Sequence, residues 1–171
     1  MDEDIIFFDK THSMLKTIKS YIIDQCEDIC RQEIDKETVN QEFLKFDFGY
    51  IRKIVRAKSS IINFRKKHKE TVHSFILCNY EQNNNKQNIS INIQILCNSK
   101  NNSYNNKDGV NLLNIIETKA RDENIKNINL FSLGNPHLKQ WYEKQGFKTL
   151  GELSIPGSKK IKVYIMKKQL D

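Results

Sequence analysis

No stretch of this sequence approaches the roughly 18 uninterrupted apolar residues that a membrane-spanning helix requires, so a bilayer is not expected among its partners. The first residues, Met1-Asp2-Glu3-Asp4, are acidic where a secretory signal would be basic, and no apolar segment with a small-residue cleavage site follows. The expected location is the cytoplasm, with the nucleus as the alternative. Cysteine is sparse: Cys26, Cys30, Cys78 and Cys97 form no CxxC pair and have no His at metal-ligand spacing. Three of them sit inside apolar periodic segments, which predicts reduced core thiols rather than disulfides or metal ligands. Basic clusters occur at Arg52-Lys53, Arg65-Lys66-Lys67-His68-Lys69 and Lys159-Lys160, but no aromatics interleave with them as a base-stacking platform would need. Solvated faces on a chain of formal charge +7 are the expectation, and nucleic acid is not.

What is present describes one globular domain. A chain of 171 residues with 38% hydrophobic and 29% charged content can bury one core and is short for two. Asp4–Phe8 reads as a short first strand. From 11 to 32 the residues Met14, Ile18, Ile22, Cys26 and Cys30 recur at helical spacing, and a second helix is expected over 36–45. The segment 52–58 fits helix or loop.

The period then changes. Segments 60–65 and 71–80 are β-branched and aromatic, and Ile89, Ile91, Ile93 and Ile95 alternate against Ser90, Asn92 and Gln94. The polar stretch 81–88 reads as a hairpin loop, so these strands are expected to be antiparallel. A polar loop follows Cys97, then Gly109, and a helical pattern begins at Val110. A strand over 127–133, a helix over 136–145 and a final hairpin of strands at 147–154 and 160–167 complete the order β-α-α-β-β-β-α-β-α-β-β. That order predicts a mixed α/β sheet, mostly antiparallel, flanked by helices.

Two segments carry chemistry. In the first, the strand ending Leu96-Cys97-Asn98 runs into a loop that opens a helix at Asn106-Lys107-Asp108-Gly109-Val110-Asn111-Leu112. Free N–H groups and the positive end of a helix dipole at such a start suit a phosphate. The second is Asn135-Pro-His-Leu-Lys-Gln-Trp-Tyr142-Glu-Lys-Gln-Gly146-Phe147. As plain structure it is an amphipathic helix with Leu138 and Trp141 inward and Gly146 capping its end.

Together the two segments resemble the GNAT superfamily of N-acetyltransferases. The family's pyrophosphate loop, Gln/Arg-x-x-Gly-x-Gly/Ala, falls on Asn106, Gly109 and Asn111. Its second signature, Asn-x-x-Ala-x-x-Leu-Tyr-Glu-Lys-x-Gly-Phe, falls on Asn135, Leu138, Trp141, Tyr142, Glu143, Lys144, Gly146 and Phe147. Asn106 stands in place of Gln or Arg, Asn111 in place of a small residue, and Asp108 adds a negative charge that Lys107 offsets.

The resemblance implies an acetyl-CoA-dependent transfer of an acetyl group to a primary amine, either a small amine such as an amino sugar or a protein amino group. Acetyl-CoA would lie between the strands at 89–97 and 127–133. Backbone groups of Leu96 and Asn98 would hold its pantetheine arm beside Cys97, residues Asn106–Leu112 would cradle the pyrophosphate, and Asn135 would contact the pantetheine. Tyr142 would protonate the departing thiolate. Direct transfer is the implied route, with relay through the Cys97 thiol as the alternative. For the base that deprotonates the amine, Glu81, His73, His137 and a water chain stay open. Competing functions are a catalytically degenerate member serving as a binding or structural module, and a nucleic-acid binder using 52–69. A homodimer is the assembly left open.

Overall fold

The computed structural model describes residues 4–8, 61–67, 71–98, 108–133, 136–154 and 162–171. The helices expected over 11–32 and 36–45, the segment 52–58, and Asn106, Lys107 and Asn135 lie outside them. Every β-branched or alternating run named above among the described residues is a strand. They are β1 (Asp4–Phe8), β2 (Ile61–Lys67), β3 (Thr71–Gln82), β4 (Asn88–Asn98), β5 (Asn127–Leu133), β6 (Lys148–Ser154) and β7 (Lys162–Gln169). Helix α1 (Asp108–Asp122) lies between β4 and β5, and helix α2 (Pro136–Lys144) between β5 and β6.

Among the described residues the sheet runs in the order β1-β2-β3-β4-β5-β7-β6. β1 pairs antiparallel with β2, β2 with β3, β5 with β7, and β6 with β7. β4 and β5 run parallel, from Ser90↔Asn127 to Ile93↔Leu130. This is the mixed, mostly antiparallel α/β sheet that the element order predicts. A parallel pair needs a crossover, and α1 supplies it. The turn between β3 and β4 is built by Asn83. Its backbone accepts from Lys86 N–H at 2.9 Å and its Oδ1 accepts from the N–H groups of Asn85 and Gln87, both at 3.0 Å. Lys86 takes φ 59°, the left-handed position of a three-residue hairpin loop.

The chain divides into two compact units, Met1–Asn79 with Gln94–Asn114, and Tyr80–Ile93 with Ile115–Asp171. In the first, Ile76, Leu77, Cys78, Leu112 and Leu113 are buried, and Gln94 Nε2 donates to Asn79 Oδ1 at 3.1 Å. In the second, the core is Ile91, Ile93, Ile116, Ala120, Ile125, Ile128, Leu130, Tyr142, Phe147, Met166 and Leu170. The alternation expected along β4 holds for Ile91 and Ile93 and fails at its start. Ile89 is 42% exposed and Ser90 is buried. Ser90 can be buried because its hydroxyl donates to Glu81 Oε2 at 2.6 Å. No described helix is long and apolar enough to cross a membrane.

Candidate functional site

Helix α1 starts at Asp108, two residues before the expected Val110. A carboxylate residue suits the first position, since it meets the positive end of the helix dipole. Gly109 is therefore not the turn before the helix but part of its first turn, helical and buried. Among the described glycines only Gly146 has a left-handed φ. Val110 and Asn111 are half-buried and Leu112 is buried. Leu96, in β4, is half-buried, and Cys97 and Asn98 end that strand. One unit thus carries the strand end 96–98 and the helix start 108–112, while Tyr142 belongs to the other.

Both helices stop in the same way. At the end of α1, Ile125 N–H reaches the Ala120 carbonyl at 2.7 Å and Asn124 N–H reaches that of Arg121 at 3.0 Å, with Asn124 at φ 57°. At the end of α2, Phe147 N–H reaches the Tyr142 carbonyl at 3.1 Å and Gly146 N–H that of Glu143 at 3.0 Å, with Gly146 at φ 90°. Each is a Schellman cap, and the residue after each left-handed position, Ile125 or Phe147, is buried.

On α2 the inward stripe differs from the expected one. Leu138 and Trp141 are half-buried, and the residue that goes deepest is Tyr142, 6% exposed. Its ring meets those of Trp141 and Phe147 edge-on, with centroids 4.9 and 5.7 Å away. Tyr142 and Phe147 are five apart and meet because the cap folds Phe147 back onto the last turn. On the outer side Lys139 pairs with Glu143 at 2.8 Å, and Thr149 Oγ1 donates to the same carboxylate at 3.0 Å. The hydrogen bond from Lys139, then that from Thr149, holds the Glu143 carboxyl below its usual range, and Glu143 raises Lys139 in turn. The Lys139 ammonium also sits 5.4 Å from the centre of the Tyr164 ring.

Residues that sequence reasoning missed lie behind α2. Lys168, on β7, donates to Glu117 of α1 and to the Gln145 carbonyl at 2.7 Å. Strand alternation was the available signal, because it puts Lys168 on the same face of β7 as buried Met166. Of the candidate bases, Glu81 is exposed and accepts from Ser90, His137 is exposed on α2, and His73 lies in β3. Burial pushes the Cys78 thiol far above its ordinary value, which keeps it protonated and unreactive. Among the described residues no group of three or more His, Cys, Asp or Glu side chains is placed to hold a metal ion.

No protein-family model and no curated protein sequence matches the chain. Solved structures do. The aminoglycoside 6'-N-acetyltransferase from Enterococcus faecium superposes with TM-score 0.67 at 14% identity, covering 97% of this chain and 96% of that one. An acetyltransferase of the GNAT family from Streptococcus pneumoniae gives 0.64 at 16%, covering 99% and 100%. The fold is that of the GNAT acetyltransferases. A third structure with this fold, the PaiA N-acetyltransferase from Thermoplasma acidophilum in complex with coenzyme A, gives 0.62 at 16% identity over 99% of this chain and 100% of that one. Gly109 and Asn111 lie in the first turn of α1, and the segment Tyr142–Phe147 spans the last turn and cap of α2.

Proposed function

We propose that this chain is an acetyl-CoA-dependent N-acetyltransferase acting on a primary amine, with residues 1–171 forming one catalytic domain. The observation that carries the reading is the parallel pairing of β4 with β5, from Ser90↔Asn127 to Ile93↔Leu130, within a fold shared with the GNAT acetyltransferases. On this reading the strand-like pantetheine arm of coenzyme A, which carries amide groups of its own, pairs with the backbone at the end of β4. This assigns the arm to Leu96, Cys97 and Asn98.

The start of α1 fits the pyrophosphate. Its first N–H groups have no intrahelical acceptor, and Gly109 brings no side chain between backbone and ligand. Asn106, Lys107, Asp108, Val110, Asn111 and Leu112 complete the cradle, and Asn135 is assigned to the pantetheine side. The neutral amine attacks the thioester carbonyl carbon and forms the C–N bond. As the tetrahedral species collapses, the C–S bond breaks, and Tyr142 gives its phenolic proton to the departing thiolate. The proton lost by the amine leaves to solvent or to a base in the acceptor pocket. Holding amine and thioester together supplies most of the acceleration, and general acid catalysis about 10²–10⁴ more.

Titration calorimetry with acetyl-CoA tests the reading, with one site expected. The ligand at 100 times its dissociation constant should also stabilise the fold by about 2.7 kcal/mol in a thermal melt. A flat titration at millimolar ligand would move the reading to a GNAT fold retained for binding or structure.

A further inference from the structure

Lys168 is a charged residue in a place where an apolar one would suffice for packing. Its side chain is 19% exposed and that of its partner Glu117 is 11% exposed. Burying an ion pair costs desolvation that packing alone would not require, so the position of the ammonium carries the meaning. Lys168 Nζ donates to Glu117 Oε1 and, at 2.7 Å, to the Gln145 carbonyl. Gln145 directly follows the last residue of α2, and its carbonyl belongs to the helix end, where intrahelical donors have run out. Glu117 stays anchored on α1, where Arg121 Nη1 lies 3.7 Å from its other oxygen. Gly146 completes the arrangement. A Cβ there would stand 3.2 Å from Lys168 Cε and 3.3 Å from Nζ, so a side chain at 146 would make the lysine give by a few tenths of an ångström where it meets Gln145.

The link from this contact to Tyr142 is short. Gln145, Gly146 and Phe147 form the cap; Phe147 donates its N–H to the Tyr142 carbonyl at 3.1 Å and stacks its ring edge-on against that of Tyr142. A shift of the Gln145 carbonyl is therefore passed to Tyr142 through two connections, one backbone and one aromatic. We propose that Lys168 is a positioning residue: it joins the end of α2 to Glu117 of α1 and so sets where Tyr142 stands. The catalytic consequence rests on the acetyltransferase reading, whereas the seating of α2 rests on geometry alone.

The experiment separates the two. Trp141 is the sole tryptophan and lies on α2 beside Tyr142, so its emission reports the seating of this helix without any turnover. Lys168→Met removes the ammonium and keeps most of the volume, but leaves Glu117 buried without it. The double variant Glu117→Gln/Lys168→Met removes that unbalanced charge as well. With full-length protein, Lys168→Met should shift the Trp141 emission and lower kcat about ten- to a hundredfold, with KM for acetyl-CoA within about twofold of wild type. The double variant should regain the wild-type melting temperature and keep both the shifted emission and the low kcat. Recovery of emission and kcat together with stability would overturn the proposal, because Lys168 would then only balance a buried charge. If wild type turns over acetyl-CoA with no amine in a panel, the acetyltransferase reading fails, and the emission still decides: unchanged emission in both variants overturns the positioning role, and shifted emission in both supports it.

Discussion

Replacing Gly146 by alanine tests the α2 cap most directly. At φ 90° an L side chain costs about 1–2 kcal/mol. The added Cβ would also sit 3.2 Å from Lys168 Cε, tighter than ordinary contact, so the lysine would have to give by a few tenths of an ångström at the Gln145 carbonyl. Losing a hydrogen bond from a charged donor costs about 1.5–3 kcal/mol when complete, and a displacement of a few tenths of an ångström costs a fraction of that. Against these stands the lower entropy of the unfolded chain, which favours alanine by about 0.4–1 kcal/mol. The net expectation is a destabilisation of about 1–2 kcal/mol, a sizeable part of a stability of about 5–15 kcal/mol. Gly151 is the internal control. It lies in β6 without a left-handed φ, and a Cβ there would meet only Ile165 Cδ1, at 4.0 Å. Gly151→Ala should be neutral or slightly stabilising. Urea midpoints at unchanged slope measure both variants. If Gly146→Ala loses no more stability than Gly151→Ala, the cap geometry and its coupling to Lys168 are wrong.

Tyr142→Phe keeps the ring that packs on Trp141 and Phe147, so it should fold, bind acetyl-CoA nearly as wild type and lose on the order of 10²-fold in turnover. Equal rates of thiol release across a panel of amines would sink the general-acid role. Gly109→Val violates no left-handed φ, and valine is the better helix former, so crowding at this buried position is the only source of strain. Acetyl-CoA affinity should fall at least about tenfold, and an unchanged dissociation constant would make Gly109 a packing glycine. The Lys139–Glu143 pair has a pH signature. A lowered carboxyl stabilises the fold above its unfolded value of about 4.3 and stops doing so as pH falls through its folded value, while a raised lysine stabilises below about 10.4 and stops as pH rises through its own. The melting-temperature difference between wild type and Glu143→Gln should thus persist from about pH 5 to pH 10 and close on either side, and a difference independent of pH would rule the pair out.

The sequence alone determined the local elements, because periodicity and punctuation are local. Alternating isoleucines made β4, and Pro136 and Gly146 bounded α2 to within a residue of the expected span. The order of elements was enough to reach the mixed, mostly antiparallel sheet. Where a residue's role depended on a partner far along the chain, the sequence was silent. Ser90 reads as a solvent-facing residue until Glu81 accepts a hydrogen bond from its hydroxyl, and it is in fact buried. Helical spacing put Trp141 inward, whereas the folded-back Phe147 gives the deeper place to Tyr142. Gly109 reads as a turn and is the second residue of a helix, since a helix start is decided by which carbonyls accept from the N–H groups four residues further on. Lys168 is the sharpest case: alternation puts it on the face of β7 that carries Met166, but nothing local says what its ammonium meets there. Only the folded chain brings its ammonium to two part-buried acceptors, on residues 51 and 23 positions away.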